Sequence, residues 1–380
     1  MNTPSTPQTH LSRRRFLKIL AVTGAAGVTV AGGYALFEYA PWLDYDQHAS
    51  DNRRPFAAEA NLTAAPMYEL IRYASLAANG HNTQPWKFAL KESAVEIHPD
   101  YSRRLPVVDP NDRELWISLG CALENLLIAA RTVGYATEVI YPEAEDVIQV
   151  RLTADRPQDA PLFNAIPLRQ SNRSEYDGQP VSTAELDQLA ASPLEPGVVL
   201  HIVTQAAEME RLLEYVNQGN LSQYADKPFV DELISWLRFT KKEALASLDG
   251  LYTPCSGNPE VPRWLGQMFV GGTDPQQQAD TDAQKLRSSS GALVLASESD
   301  TKAAWVRTGQ VVERLALTMT SLNIQSAFLN QPIEVMSLRS EFQSALALDK
   351  SQPQLLVRFG HGAVMPKSLR RPVDQILLPS

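Results

Sequence analysis

The sequence predicts an α+β protein made of two tandem halves, each organised around one long central helix. Apolar residues recur at three- and four-residue spacing in two segments, Asp112 to near Gly134 and Lys302 to Asn323, and this is the period of an α-helix. Shorter runs that are typical of strands accompany both segments in one shared order: helix, strand, central helix, strand, strand. A plan that occurs twice indicates an internal duplication.

A constant offset between the two halves supports the duplication. When the two long helices are aligned, identical residues coincide and the strand after each helix falls in the same place. The coincident residues are Gly120 with Gly309, Glu124 with Glu313 and Leu126 with Leu315, and Val139-Ile140 falls opposite Phe328-Leu329. The first central helix is apolar on almost every side, so we expect it to be buried.

The first half is predicted to span residues 61–160. A helical pattern from Met67 to Ala77 leads through a turn into a strand-like run that continues to Ile97. A loop rich in Arg and Pro, Asp100 to Asp109, precedes the central helix. The two strands predicted after that helix are Thr137–Tyr141 and Val147–Leu152.

The second half is predicted to span residues 161–380. Its first helix opens with a capping box, in which Ser182 caps the helix and Glu185 reaches back, a motif that contributes about 1 kcal/mol. Strands are predicted at Ser288–Ser297 and Leu355–Phe359. Residues 217–287 have no counterpart in the first half and form a predicted insertion. It holds a helical pattern from Phe229 to Ser247 and a loop rich in Gly and Pro from Asp249 to Gly272.

Composition excludes several classes of function. The chain has 380 residues, 44% of them hydrophobic, so it can bury at least one sizeable core. Its 34 basic and 43 acidic residues give a net charge of −9, which argues against a general nucleic-acid binder. Two cysteines, Cys121 and Cys255, are too few for a disulfide framework. The six histidines are scattered without the spacing of a metal site.

The N-terminal segment, residues 1–40, resembles a twin-arginine export signal. Ser12-Arg13-Arg14-Arg15-Phe16-Leu17-Lys18 is followed by a weakly hydrophobic run from Ile19 to Phe37. We therefore expect the twin-arginine export machinery as a partner and a periplasmic protein. A single membrane anchor facing the periplasm is the alternative, because about 20 apolar residues span a bilayer and no clear cleavage site follows. Residues 41–60 are predicted to be a linker, polar and irregular from Asp44 to Ala60.

The turn between the first helix and the first strand carries an unusual set of polar residues. Asn79 and Gly80 suit a helix stop, while Asn82 and Gln84 offer side-chain amides just before Pro85 and Trp86. A rigid turn rich in amides is able to grip the edge of a planar heterocycle. A plain connection between helix and strand is the alternative interpretation.

This turn resembles the flavin loop of the nitroreductase family, which reads Asn-x-Gln-Pro-Trp. Three segments of the second half resemble other parts of that family's FMN site: Arg169-Gln170-Ser171-Asn172-Arg173, Asn330-Gln331-Pro332-Ile333-Glu334 and Lys367-Ser368-Leu369-Arg370-Arg371. The resemblance implies that Arg169 and Ser171 hold the FMN phosphate and that Arg173 lies near the pyrimidine edge. It implies that the Pro-Ile-Glu turn faces flavin N5 and that the basic tail completes the phosphate clamp. The residues expected at the cofactor are Asn79, Gly80, His81, Asn82, Gln84, Arg169, Gln170, Ser171, Arg173, Pro332, Ile333, Glu334, Lys367, Arg370 and Arg371.

Together with Asp109-Pro110 and Arg113-Glu114-Leu115, these motifs resemble the Acg-type branch of the nitroreductase-like proteins, from about Ala60 to Leu378. Nitroreductases are dimers with FMN at the interface, so the resemblance implies a nitroreductase-like fold in which tandem halves imitate a dimer. Each motif occurs once, the loop in the first half and the other three in the second. We therefore expect one FMN between the halves, a degenerate second site and a monomer.

The implied function is an FMN-dependent oxidoreductase that reduces an electron-poor small molecule, such as a nitroaromatic or a quinone. No catalytic acid or base is identified in the sequence. A protein that sequesters or stores FMN with little turnover is the alternative, and a membrane-anchored interaction domain with two decayed sites is a third. The insertion is a candidate lid, in which Trp236, Tyr252, Trp264 and Phe269 either stack on the flavin or pack in a core.

Overall fold

The structure, a computed structural model, describes residues 42–56, 65–143 and 145–379. The twin-arginine sequence and the apolar run that follows it lie outside these residues. The first described element corrects the linker prediction, because Trp42–Asn52 forms helix α1. Tyr45 and Ala49 lie one turn apart and are buried against Ala244 and Tyr252 of the insertion. This apolar pair, hidden in a polar segment, gives the helix a surface on which to pack.

The first half folds around helix α3 (Arg113–Thr132). Helix α2 (Ala65–Ala74) precedes it, and the strand-like run through Ile97 is an antiparallel hairpin rather than one strand. The sheet order is β1-β2-β4-β3, with every pair antiparallel. The strands are β1 (Trp86–Lys91), β2 (Ala94–Pro99), β3 (Tyr135–Ile140) and β4 (Ile148–Ala154).

The second half repeats this topology around helix α10 (Lys302–Ser321). Its sheet order is β5-β8-β10-β9, again antiparallel throughout. The strands are β5 (Val198–Val203), β8 (Gly291–Ser297), β9 (Gln325–Phe328) and β10 (Gln352–Gly360). In both sheets the central helix connects the second and third strands along the chain. The predicted α+β fold with two tandem halves is confirmed.

The two central helices cross at the aligned glycines. A Cβ atom on Gly120 would lie 2.0 Å from the carbonyl oxygen of Val306, and one on Gly309 would lie 2.0 Å from that of Ile117. The Cβ position of Gly309 is also 2.8 Å from the Cα of Gly120. Only glycine permits this approach of two backbones. Buried residues of both halves then join into one continuous core around the crossing.

The remaining elements of the second half surround this core. Helix α4 (Thr183–Ala190) begins with the predicted capping box, and both of its hydrogen bonds are present. After β9 come the short helix α11 (Gln331–Glu334), which contains the Pro-Ile-Glu segment, and α12 (Met336–Ala345). Helix α13 (Val373–Ile376) lies near the C-terminus and packs on the first half, where Leu377 bridges to Phe88.

The insertion is more helical than the sequence predicts. Helix α5 (Ala206–Ala225) runs through its predicted start, and the helical pattern from Phe229 to Ser247 is interrupted by a short strand. The supposed loop from Asp249 to Gly272 contains a helix. The elements after α5 are α6 (Lys227–Trp236), β6 (Leu237–Arg238), α7 (Lys241–Ser247), β7 (Leu251–Tyr252), α8 (Arg263–Gly271) and α9 (Pro275–Arg287).

Within the described residues, α3 is the one helix long and apolar enough to cross a membrane. It is buried at the centre of the protein, as the sequence predicts, and its composition is that of a core helix.

Candidate functional site

The Gly80–Gln84 loop has a strained backbone. His81, Asn82 and Gln84 have φ angles of 46°, 53° and 52°, in the left-handed region that non-glycine residues rarely adopt. Such residues cost about 1–3 kcal/mol each, and they persist only where tertiary contacts hold them. Backbone strain of this kind is concentrated at functional sites. The strained backbone makes this loop a candidate for the functional site.

The amides of Asn82 and Gln84 provide the contacts that hold this loop. Asn82 donates to the carbonyls of Gly250 (3.0 Å) and Leu369 (3.2 Å). Gln84 donates to Leu248 (2.9 Å) and accepts from the backbone N–H of Arg371 (2.8 Å). These side chains therefore bind the insertion and the C-terminal segment. Both amides position the loop, and their proposed contact with a cofactor remains a prediction.

Asn79 and Gly80 also support the loop from within. The Asn79 side chain donates to Ala77 (3.1 Å) and accepts from the backbone N–H of Gln84 (2.9 Å). The Gly80 N–H donates to the Ser118 hydroxyl at 3.3 Å, which ties the loop to the central helix α3.

The two arginines of the C-terminal motif point in different directions. Arg370 donates to the Asn82 side chain (2.6 Å) and to the carbonyls of Ser75 (2.8 Å) and Ala77 (3.1 Å). Arg371 instead donates to the carbonyl of Gln84 (2.6 Å) on the other side of the loop. Only Arg370 therefore lies among the other predicted phosphate ligands. The prediction that both arginines serve one phosphate is corrected for Arg371.

Arg169 and Arg370, which are buried, form a basic cluster with the half-buried Lys367. Arg169 and Arg370 donate to the same carbonyl oxygen, that of Leu76, at 2.9 and 3.3 Å. The Lys367 ammonium donates to the carbonyl of Leu168, next to Arg169. Burial and the nearby arginines lower the pKa of Lys367 to about 7, and burial lowers the pKa of Arg370 well below its usual value. A bound anion would stabilise the charged forms of Lys367 and Arg370, whose pKa values are lowered in its absence.

Glu313 is the carboxylate that partners this cluster. It is fully buried in α10, lies 3.0 Å from Arg169 Nε and accepts from the backbone N–H of Ala78 at 3.1 Å. Burial raises its pKa, and Arg169 acts in the opposite direction. One carboxylate from the second half thus holds both an arginine of its own half and the start of the loop in the first half.

Several polar groups beside this cluster have no protein partner. Both amide atoms of Gln170 and Nδ1 of His81 are buried without a hydrogen bond among the described residues. Burial lowers the pKa of the nearby Arg173, and the charges of Asp282 and Glu334 act in the opposite direction. Burial and Arg173 lower the pKa of His81 to about 3, so its imidazole is neutral at physiological pH. Unpaired buried polar groups are costly, and a ligand that pairs with them removes that cost.

Ser171 and the Pro-Ile-Glu turn lie on two further sides. Ser171 forms a β-bridge with Ser326 of β9. Pro332 and Ile333 are buried in α11, and the Glu334 carboxylate accepts from Gln223 Nε2 at 2.6 Å. Burial raises the pKa of Glu334 to about 8, with the charge of Glu114 adding to the effect.

Glu114 is a site residue that sequence reasoning missed. It accepts from the Asn330 side chain at 3.1 Å and lies beside Arg113 at 2.8 Å. Its Oε2 atom is 3.9 Å from the Cβ position of Gly80. The buried Glu114 and the half-buried Glu334, one from each half, are thus neighbouring carboxyl groups between the loop and the Pro-Ile-Glu turn. The position of Glu114 in the first turn of α3 could have marked it as a candidate, but nothing in the sequence indicates that it lies near Glu334.

The insertion covers the outer side of the loop. Leu248 and Gly250 receive the Gln84 and Asn82 amides, and Asp249 forms ion pairs with Arg103 and Arg238. The aromatic side chains divide into two groups. Trp236 lies against Arg103 and Arg238, and Tyr252 packs on Tyr45. Trp264 and Phe269 are 65% and 47% exposed, so core packing is wrong for these two.

Comparisons with known proteins agree with the resemblance. The chain is 25% identical to "Putative NAD(P)H nitroreductase Rv3131" of Mycobacterium tuberculosis over 340 residues, covering 87% of this chain and 96% of the relative. It is 23% identical to "Putative NAD(P)H nitroreductase acg" of the same organism over 320 residues, covering 80% and 93%. No protein-family model matches the chain. The predicted resemblance to the Acg-type branch of the nitroreductase-like proteins is confirmed.

Solved structures also align with this chain. A "putative nitroreductase" from Anabaena variabilis covers 82% of this chain and 91% of its own, with a TM-score of 0.42 and 9% identity. The FMN-dependent nitroreductase NfnB from Mycobacterium smegmatis, solved in complex with NADPH, covers 57% and 91%, with a TM-score of 0.36 and 15% identity.

Proposed function

We propose that this protein is an FMN-dependent oxidoreductase of the nitroreductase type, with a single FMN bound between its two halves. The observation that carries the proposal is the basic cluster of Arg169, Lys367 and Arg370, which has one carboxylate partner among the described residues, Glu313, and lies beside unpaired polar groups. The basic cluster is complementary to a phosphate, and the unpaired donors and acceptors beside it are complementary to a polar planar ring joined to that phosphate.

The residues present fit FMN in the following way. Arg169, Lys367 and Arg370 hold the phosphate, and Ser171 offers a hydroxyl at the same end. Gln170 supplies an unpaired amide for the ring edge, and Arg173 supplies a cation there, which stabilises negative charge on the reduced form. His81 and the neighbouring Gly80 form part of the wall on the first-half side.

FMN, when bound, supplies the electron-transfer chemistry for an electron-poor substrate such as a nitroaromatic or a quinone. The chain supplies orientation and a proton. Because the pKa of Glu334 is about 8, its carboxyl holds a proton at neutral pH. Reduction of a quinone or a nitro group consumes protons, and Glu334 with Glu114 provides a store for them at the Pro-Ile-Glu turn.

The names of the relatives point to NAD(P)H as their electron donor. We propose export through the twin-arginine machinery, with the N-terminal segment either removed or retained as an anchor. Fractionation of cells that express the full chain tests this. A double substitution of the arginine pair, Arg13→Lys with Arg14→Lys, is expected to leave the protein in the cytoplasm.

The first test of the cofactor proposal is the visible absorbance of purified protein, with flavin quantified against chain. One FMN per chain is expected, together with its loss in Arg169→Ala. Asn82→Ala is expected to weaken binding through the loop that Asn82 holds. A colourless protein that also fails to bind added FMN contradicts the proposal.

Storage of FMN is a second candidate, and the insertion favours it. The hydrogen bonds from Asn82 and Gln84 to Gly250 and Leu248 hold the insertion against the loop, which limits access to the site. Protein reduced with dithionite distinguishes the two functions without assuming a natural donor. Rapid reoxidation by an added quinone or nitroaromatic supports an oxidoreductase, and slow reoxidation by all acceptors supports storage.

A further inference from the structure

We propose that Arg53, at the end of helix α1, is a further ligand of the same phosphate, so that the N-terminal helix closes the anion site from outside the two halves. This inference rests on the proposed binding of FMN. No motif in the sequence marks Arg53, which lies in a segment predicted to be a linker.

The contacts of α1 place it directly on the C-terminal basic segment. The Tyr45 hydroxyl donates to the carbonyl of Lys367 at 2.7 Å. Asn52 donates to the carbonyl of Arg370 at 2.9 Å, and Arg53 donates to the carbonyl of Ser368 at 2.8 Å. Three successive hydrogen bonds therefore fix α1 along the segment that carries two of the proposed phosphate ligands.

The charge around Arg53 is unbalanced. The protein acceptors of its guanidinium are carbonyl oxygens, those of Ala49 and Ser368, and no carboxylate in the described ranges forms an ion pair with it. Arg169 lies close enough to lower the pKa of Arg53, after the larger effect of burial, to about 10. Arg53 thus joins Arg169, Lys367 and Arg370 in one group of neighbouring basic side chains, in which Glu313 is the carboxylate that pairs with Arg169.

The adjacent Arg54 differs from Arg53 because it is paired with a carboxylate of the protein. It binds the buried carboxylate of Glu69 through both guanidinium nitrogens, at 2.5 and 2.8 Å. Arg54 therefore has its counter-charge within the protein, whereas Arg53 has none among the described residues. A doubly charged phosphate is an anion of the size and valence that such a cationic group binds, because arginine pairs with it in bidentate fashion.

A ligand that binds Arg53 stabilises helix α1 in its packed position on the C-terminal segment. Binding to one conformational state shifts the equilibrium toward that state by mass action. Occupancy of the flavin site and docking of the segment that leads to the N-terminus are therefore coupled.

The test compares binding of FMN and riboflavin, which share the ring and differ in the phosphate. Quenching of flavin fluorescence gives the affinities of the wild-type protein, Arg53→Ala and the matched control Arg54→Ala. Arg53→Ala is expected to weaken FMN binding by about tenfold or more, as loss of one charge-assisted contact implies, and to leave riboflavin binding within about twofold. Arg54→Ala is expected to change neither affinity.

Further variants and ligands separate the possible outcomes. Arg53→Gln removes the charge but retains a donor for Ser368, so it covers the case in which Arg53→Ala does not fold. Inorganic phosphate is expected to compete with FMN in the wild-type protein and to compete less well in Arg53→Gln. FMN binding that is equal in wild type, Arg53→Ala and Arg53→Gln overturns this inference alone. A wild-type protein that binds no FMN overturns the proposed function and the inference together.

Hydrogen exchange supplies a readout that is independent of affinity. Saturating FMN is expected to slow exchange of the amides from Tyr45 to Arg53 in the wild-type protein, and riboflavin is not. Equal protection by the two flavins would show that the helix responds to the ring and would overturn a role for Arg53 at the phosphate.

Discussion

Glu313 and Glu124 occupy equivalent positions in the two halves, yet their surroundings differ. Both are buried in the central helices, one turn beyond the crossing glycines. Around Glu124, Arg314 binds the carboxylate through two nitrogens at 2.8 and 2.9 Å and also binds Glu195 at 2.9 Å. Around Glu313, Arg169 is joined by further cations that have no carboxylate of their own among the described residues.

The difference shows how duplication can yield one site. At Glu124 every carboxylate has a cationic partner, because Arg314 pairs with both Glu124 and Glu195, and Tyr141 donates to Gln310 nearby at 2.8 Å. At Glu313 there is excess positive charge and there are unpaired groups, including Gln170. The Glu124 region is complete without a ligand. The excess positive charge at Glu313 is the observation that supports the proposal of one FMN and a degenerate second site.

Removing the arginine from each region is expected to give the largest effects. Arg169→Ala and Arg314→Ala each leave a buried carboxylate without its partner, which costs about 3–5 kcal/mol in the free energy of unfolding. Only Arg169→Ala is expected to abolish FMN binding. Denaturant unfolding and flavin content per chain measure the two effects. If Arg314→Ala also lost FMN while remaining folded, the proposed contrast between the regions would be wrong.

A methyl group at the helix crossing is expected to disturb both regions together. Gly309→Ala places a Cβ atom 2.0 Å from a backbone oxygen of Ile117, so the helices must separate, at a cost of about 3 kcal/mol. Thermal unfolding measures the loss. Gly271→Ala is the control, because its Cβ would meet only the Ile234 side chain, at 3.9 Å. Equal stability of Gly309→Ala and wild type would contradict the close crossing.

The pH dependence of FMN affinity tests the cation-rich region. The pKa of Lys367 is about 7 without ligand, and an anion stabilises its charged form. FMN is therefore expected to bind more weakly as pH rises above 7, by no more than about tenfold per pH unit for one linked proton. Fluorescence titrations from neutral to alkaline pH measure the slope, which should vanish in Lys367→Met.

The same group makes an opposite prediction for stability. Its pKa is about 7 in the folded protein, against an ordinary value of 10.5. Between pH 7 and 10.5 the unfolded chain therefore binds the Lys367 proton more tightly than the folded chain does. The contribution of Lys367 to the free energy of unfolding of ligand-free protein therefore rises with pH over this window. Comparison with Lys367→Met isolates that contribution, and an identical pH profile for the two proteins would contradict the lowered pKa.

The smallest effect is expected at the buried amides of the two regions. Gln170→Leu removes unpaired polar atoms and is expected to stabilise the ligand-free protein by about 1 kcal/mol while weakening FMN binding. Gln310→Leu breaks a hydrogen bond to Tyr141 and is expected to destabilise by about 1 kcal/mol without affecting FMN. Chemical unfolding and flavin titration of both variants check these opposite signs. Destabilisation by both would mean that Gln170 has a partner in solution.

The proximity of several candidate site residues could be predicted because their segments carry recognisable sequence motifs. Arg169, Lys367 and Arg370, far apart along the chain, do lie together. The roles of Asn82, Gln84 and Arg371 could not be predicted, since a side chain's partner depends on which carbonyl the fold brings near it. Arg53 was missed for the same reason. Residues 41–60 have the polar composition of a linker, so the sequence does not indicate the packing of Tyr45 and Ala49 that holds helix α1, and with it Arg53, in place.

The α+β class, the two central helices and the duplication follow from the sequence alone, because periodicity and offset can be read directly along the chain. The capping box of Ser182 and Glu185 belongs to this group, since its hydrogen bonds span only three residues. The tertiary structure alone decided the charge balance around Glu313 and Glu124. Their sequence positions are equivalent, and the difference arises from groups that lie far away along the chain. Long-range electrostatics depends on distance in space, and only the folded chain fixes that distance.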